Sequence, residues 1–353
     1  MIREQLLTTA DQDDWRRYLP ECRSVFGSLG YARICQEHRG YSPRLYVLQS
    51  EKAVICYPLF LRSLADLPFR TSVTPKWDSG TPDFTGPLMY GDDHELASAF
   101  PEFRNTLFQT ERVVAEFAHL YPWSPARSLL GDGCVYNRDI VWVDVTLNLE
   151  TLWHKHFEHS CRKNITRAEQ EGVRTFTAAG EDHVREFHRI YVGTMDRRNA
   201  LASYYFSYEF FTAFLRELPA NSRFVFAEYQ GQVVAATLYL YDDQDVFSFL
   251  GGTDVAFQQV RPTNAVIWDT IRWAHGAGKK RLILGGGNAP GDSLFRFKST
   301  FSRFHQPFFI YKRIHLEQEY SVLEQGCRAY SGLNGSPISY FPSYRYSPAT
   351  PTK

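Results

Sequence analysis

A chain of 353 residues and 40.8 kDa, with 44% hydrophobic, 16% aromatic and 22% charged residues, holds enough apolar material for two ordinary domains or one large one. That composition excludes a mostly disordered or fibrous protein. Its 39 basic and 39 acidic side chains cancel, which excludes a histone-like or acidic-tail mode of action for the molecule as a whole.

The start, MIREQLLTTADQDDW, carries acidic residues where a secretory leader needs an apolar core. No stretch approaches the roughly 18 apolar residues of a membrane span. The sequence therefore reads as cytoplasmic, with no membrane span expected. Six cysteines (Cys22, Cys35, Cys56, Cys134, Cys161, Cys327) lie far apart without a C-x-x-C pair, so they are expected to be reduced and structural.

In chain order, Leu45 to Gln49 and Val54 to Leu61 form a hairpin around Glu51-Lys52. A helix follows near His94 to Phe108, then a short strand from Val113 to Phe117. Val143 to Leu147 reads as a strand and Glu150 to Gly172 as a basic amphipathic helix. Arg223 to Tyr229 and Val233 to Tyr241 alternate apolar and polar residues around Gln230-Gly231, a second hairpin, and Asp245 to Leu250 adds a third strand. Ile267, Trp268, Ile271 and Ala274 fall three or four apart on a helix opened by Pro262 and stopped by Gly276 and Gly278. Leu282 to Leu284 is a short strand, Gly285 to Asn288 a turn, Asp292-Ser293 a helix cap, and Pro307 to Arg313 a last strand. The tail from Ser331 reads as an irregular arm. Matching elements of the two halves are offset by about 170 to 180 residues, which points to a duplicated mixed α/β unit.

Resolved along the chain, the charge is uneven. Residues 1–145 carry 15 basic and 19 acidic side chains, whereas residues 255–315 carry 10 basic and 2 acidic. The second half thus offers a positive region suited to phosphate-bearing ligands.

Gly285-Gly286-Gly287-Asn288-Ala289-Pro290-Gly291 follows a strand, but a dinucleotide fingerprint would need glycine where Pro290 stands and an acidic residue about 20 positions later. The glycines equally serve a turn and the close approach of another backbone. Of His154, His156 and His159 only the last two share a helical face, and no third ligand joins them at a usable spacing, so no metal is expected. No G-x-S-x-G elbow is present. Lys298 sits on a short capped helix among phenylalanines, directly after the glycine turn. It is either a lysine of a basic face or a fixed ammonium placed to stabilise an oxyanion or pair with a donor phosphate.

Trp153, then Cys161-Arg162-Lys163-Asn164-Ile165-Thr166-Arg167-Ala168 leading to Gly172-Val173, resembles the Fem family within the GNAT superfamily. So do Phe187-His188-Arg189-Ile190-Tyr191, Thr194-Met195-Asp196-Arg197-Arg198 and Tyr204-Tyr205-Phe206. The run from Asn264 to Gly285-Gly286, closed by Leu294-Phe295-Arg296-Phe297-Lys298 and Phe301, matches best. In the first half, Pro82-Asp83-Phe84-Thr85-Gly86-Pro87-Leu88 resembles the family's aromatic-glycine-proline segment.

The resemblance implies tandem GNAT-like domains, each a mixed sheet flanked by helices, over residues 1–145 and 146–315, with an arm over 316–353. It implies an N-acyltransferase that moves an aminoacyl group from aminoacyl-tRNA to an amine of a peptide or peptidoglycan-precursor-like acceptor, without a bound cofactor. An acyl-CoA-dependent N-acyltransferase and an inert double-GNAT binding protein remain open. Lys298 matches the family's reaction-centre lysine and Asp83 a segment that can carry an acceptor-site carboxylate. Arg197, Arg198, Tyr204 and Tyr205 would line the acceptor cleft, with Asn264 and Phe297 as further substrate contacts. Acetyl-CoA enzymes of the superfamily cradle a pyrophosphate with a glycine-rich loop, whereas the corresponding Gln258 to Ala265 contains no glycine. The helical arm that some Fem proteins insert for tRNA has no counterpart between Arg162 and Arg223.

Overall fold

The computed structural model describes residues 2–178, 180–333 and 338–346. Contacts divide the chain into two compact units. The first comprises residues up to Asn137 together with the described chain from Phe308 onward, and the second comprises Arg138–Pro307.

The first unit contains β1 (Arg3–Leu7), α1 (Gln12–Tyr18), α2 (Leu29–Arg39), β2 (Ser42–Gln49), β3 (Ala53–Ser63), β4 (Trp77–Gly80), β5 (Leu88–Gly91), α3 (His94–Thr110), β6 (Val113–His119) and α4 (Ala126–Leu130). The strand β7 (Cys134–Asp144) then leads into the second unit. There follow a short α5 (Leu149–Thr151), a π-turn at Leu152–His156, α6 (His159–Gln170), β8 (Arg174–Thr177), α7 (Glu181–Arg197), α8 (Tyr208–Glu217), β9 (Ser222–Tyr229), β10 (Gln232–Tyr241) and β11 (Asp245–Thr253). After a 3-10 turn at Val255–Val260 come α9 (Pro262–Gly276), β12 (Arg281–Gly285), α10 (Ser293–Ser299) and β13 (His305–Ile314), then α11 (Glu317–Ser331).

The two units share one plan. In the first, β1 to β4 are antiparallel neighbours, with Tyr46 opposite Tyr57, and β4 runs parallel to β6 across α3. In the second, β8 to β11 are antiparallel neighbours and β11 runs parallel to β12 across α9, with Val246 opposite Leu282. Two helices separate the first and second strands of each set. Each unit buries its own apolar core. One is centred on Tyr57, Leu59, Phe100 and Val113, the other on Val225, Val234, Val266, Ile271 and Leu282.

The duplicated hairpin, helix and strand expected from periodicity are thus present, but three expectations are corrected. First, each sheet is completed by a strand from the opposite half of the sequence: Ile310–Ile314 of β13 pair with β6, and Val141–Asp144 of β7 pair with β12. Compact units therefore divide at 137/138 and 307/308, not at 145/146 and 315/316. Alternation along a strand identifies its buried face but not which sheet it joins. Second, the expected continuous helix from Glu150 to Gly172 is broken. Leu152 and Phe157, both buried, lie five residues apart; a π-turn closed by Phe157 N–H to the Leu152 carbonyl (2.9 Å) turns both inward, and extended Glu158 ends it. Third, the expected arm from 316 begins with α11, which packs Tyr320, Leu323 and Cys327 against Val114 and Ala115. Beyond it, Tyr344 is fully buried and Arg345 pairs with buried Asp78 (2.5 Å); the rest of the tail, 334–337 and 347–353, lies outside the described residues.

Candidate active site

The glycine turn after β12 lets two other groups approach closely. A Cβ on Gly287 would collide with the Asp292 carboxylate, and one on Gly286 would meet the Arg138 side chain at 2.8 Å and the Asp139 carbonyl at 3.0 Å. Only glycine fits both places. Asp292 accepts hydrogen bonds from the backbone N–H groups of Asn288 (2.7 Å), Ala289 (3.3 Å) and Phe295 (2.8 Å). It thereby caps α10 and fastens the turn to it. These bonds, that from Phe295 foremost, hold its carboxyl below the ordinary aspartate range.

The capped helix carries Lys298, half-buried, whose Nζ donates to the Gly286 carbonyl at 2.7 Å. Burial pushes its pKa down to about 8; Asp292 opposes the change, while Arg198 and Arg138 add to it. The Arg138 guanidinium is fixed in turn by donating to the Gly287 carbonyl. Arg198 and Arg138 thus lie within electrostatic reach of Lys298, as does the Asp292 carboxylate, and the two added cations favour a developing negative charge there. Arg138 escaped the sequence reading because it lies on β7, about 160 residues before Lys298.

The other expected residues fall in different places. Arg197 ends α7 and Arg198 follows it, both exposed. Tyr204 and Tyr205 are 52% and 42% exposed; Tyr205 donates to Asp196 at 3.0 Å, and the Tyr204 carbonyl accepts from the Tyr191 hydroxyl at 2.7 Å. They stand on a surface turn of the second unit. Phe297 packs edge-on against Phe301 (5.6 Å) and lines a surface groove of about 530 Å³ with Glu158 and Thr300. Asn264 is only 3% exposed, so it is enclosed at the α9 start rather than part of an open cleft, and among the described residues its Nδ2 has no hydrogen-bond partner. Asp83 belongs to the first unit. There its carboxylate lies 3.5 Å from His119 Nδ1, a neighbour the sequence did not disclose.

The start of α9 makes a poor phosphate cradle. Pro262 has no N–H, the Asn264 N–H is used by the Arg261 carbonyl (3.1 Å), and Arg261 itself adopts a left-handed conformation (φ 58) after the 3-10 turn. Free N–H groups are what a helix start offers an anion, and here few remain.

Comparison with known proteins agrees with this architecture. Residues 155–299 match the acetyltransferase (GNAT) domain family. No curated protein matches the sequence. Among solved structures, FemX is similar over 91% of this chain and 99% of its own, at 12% identity and a TM-score of 0.67. The C-terminal domain of a putative lysylphosphatidylglycerol synthetase from Agrobacterium fabrum is similar over 91% of this chain and 98% of its own, at 12% identity and a TM-score of 0.54. A conserved protein of unknown function from Bacteroides thetaiotaomicron VPI-5482 follows over 88% and 99%, at 11% identity and a TM-score of 0.56. Residues 155–299 thus match the acetyltransferase (GNAT) domain family, and the chain as a whole shares its mixed α/β fold with FemX.

Proposed function

We propose that this chain, a GNAT-type acyltransferase by fold, transfers an aminoacyl group from aminoacyl-tRNA to an amine of a peptide or peptidoglycan-precursor-like acceptor. The observation that carries the reading is Lys298, held on the capped α10 by the glycine turn, with Asp292, Arg198 and Arg138 as its charged neighbours.

The chemistry needs little else. The acceptor amine loses a proton and attacks the ester carbonyl, so that a C–N bond forms and the carbonyl oxygen becomes an oxyanion. Collapse breaks the ester C–O bond, and the ribose hydroxyl leaves with a proton. In this reading the Lys298 ammonium faces the oxyanion, a role worth about 100- to 1000-fold in rate for a comparable donor. Asp83, half-buried and beside His119, is assigned to acceptor amine or proton handling. Arg197, Arg198, Tyr204 and Tyr205 are assigned to the acceptor.

Transfer from acyl-CoA is the second reading, favoured by the match to an acetyltransferase domain family. The crowded, glycine-free start of α9 weighs against it. Incubating the protein with charged tRNAs and acyl-CoAs in parallel, with bacterial extract as acceptor source, decides between them. The proposal expects deacylation of the tRNA; acceptor-dependent release of free coenzyme A instead would replace it.

A further inference from the structure

In the second unit, Trp153 and one face of α6 enclose a groove of about 480 Å³. Its wall carries His159, Arg162, Lys163 and Arg167, one or two per turn, with Thr166 and Gln170 between and beyond them. No carboxylate lines it; Glu171 reaches its edge by pairing with Arg167 at 3.5 Å. Lys163 is exposed and has neither a hydrogen bond nor an ion pair among the described residues.

The groove is mounted rigidly. Arg162 Nη1 donates to the carbonyls of Trp153 and Phe157, fastening the helix to the π-turn. The Trp153 ring packs on Trp268 of α9 with centroids 5.4 Å apart. At the other end, the Glu158 N–H donates to the Thr300 carbonyl (2.9 Å), so α6 begins against the last turn of the helix that carries Lys298.

From His159 to Gln170 the face extends about 16 Å at 1.5 Å per residue. A lone phosphate or a pyrophosphate would occupy a small part of it, whereas a chain of phosphodiesters presents charge at every few ångströms. An indole edge beside the cations offers a surface for a base or ribose. From this geometry we infer that the α6 groove holds the phosphodiester backbone of the donor tRNA. The inference rests on the aminoacyl-tRNA reading above and adds to it a docking surface away from the reacting atoms.

The test compares wild type with the double variant K163A/R167A, and with E169Q as a control elsewhere on α6. Deacylated tRNA is the binding probe, titrated at several salt concentrations, and the KM and kcat for aminoacyl-tRNA are measured alongside. Two lost phosphate contacts should make the slope of log affinity against log salt shallower by about 1.4 to 1.8 and weaken binding at least tenfold. KM should rise with kcat unchanged, and E169Q should match wild type. Wild-type affinity, slope and KM in the double variant, with the wild type consuming aminoacyl-tRNA, would refute the groove and leave the donor reading intact. Failure of the wild type to consume any aminoacyl-tRNA would refute the donor reading, and the groove's role with it. Binding to phosphatidylglycerol vesicles that the double variant loses, with tRNA affinity unchanged, would reassign the groove to a membrane surface and overturn the inference.

Discussion

Replacing Lys298 with methionine should stabilise the protein while abolishing its turnover. In the unfolded chain a lysine titrates near 10.5, whereas in the fold burial lowers the value to about 8. Each tenfold loss of proton affinity corresponds to about 1.4 kcal/mol, so holding Lys298 protonated at neutral pH costs the fold about 3 kcal/mol. Methionine keeps the shape of the chain without the charge, but forfeits the charged-donor bond to the Gly286 carbonyl, worth about 1.5 kcal/mol. The net expectation at pH 7 is a gain of about 1.5 kcal/mol. The sign follows from proton binding: between pH 8 and 10.5 the unfolded chain holds the proton more tightly than the folded one, so wild-type stability rises with pH across that window. The advantage of Lys298→Met is therefore full below pH 8 and gone near pH 10.5. Urea unfolding followed by tryptophan fluorescence at about pH 7 and about pH 10 reads both values. An equal effect at the two pH values, or destabilisation at neutral pH, would refute the assignment of Lys298 as a desolvated cation held for function at a cost in stability.

Lys298→Arg keeps a cation that does not titrate in the accessible range, so any alkaline limb near pH 8 in the wild-type rate profile should move beyond about pH 9; an unmoved limb would place the titration elsewhere. Gly287→Ala should reduce kcat at least tenfold, because the new Cβ displaces the Asp292 carboxylate and with it the α10 cap; unchanged kcat would show that the turn does not position Lys298. In the first unit, fully buried Glu116 accepts from Tyr57 (2.6 Å), pairs with His315 (2.9 Å) and lies 3.9 Å from buried Arg104. Burial alone would raise its carboxyl pKa, but Arg104, His315 and Tyr57 more than offset this and hold it below the ordinary 4.5. Glu116→Gln should accordingly cost about 3 kcal/mol above about pH 5, a loss that shrinks as acid protonates the wild-type carboxylate, and denaturant titrations at about pH 7 and about pH 4 check both. Arg345→Ala should leave buried Asp78 to Arg62 alone and lower stability by about 2 kcal/mol, which thermal unfolding would register.

Local patterning disclosed the paired hairpins, the helices that follow them and the strands parallel to the preceding edge, because each depends on residues within about ten positions of one another. The exchanged strands did not show. β7 and β13 have ordinary strand alternation, and their partners, β12 and β6, lie about 140 and 195 residues away. Glu116 reads as a polar residue interrupting Val113 to Phe117, yet it is buried, because Arg104, His315 and Tyr57 converge on it from α3, the region after β13, and β3. At the site, Lys298, its Asp292 cap and the glycine turn are contiguous in sequence and were legible there. Arg138 was not, since only the pairing of β7 with β12 brings it to the turn. Asn264, expected to contact substrate, is instead enclosed by the packing of α9.

The central claim is tested most directly by a single-turnover reaction of the purified protein with aminoacyl-tRNA and an amine-bearing peptide acceptor, followed by mass spectrometry of the acceptor. The account predicts an increase of one aminoacyl residue through a new amide, formed by wild type and reduced at least 100-fold by Lys298→Ala. An acceptor unchanged with aminoacyl-tRNA but acylated when acyl-CoA is supplied would contradict it.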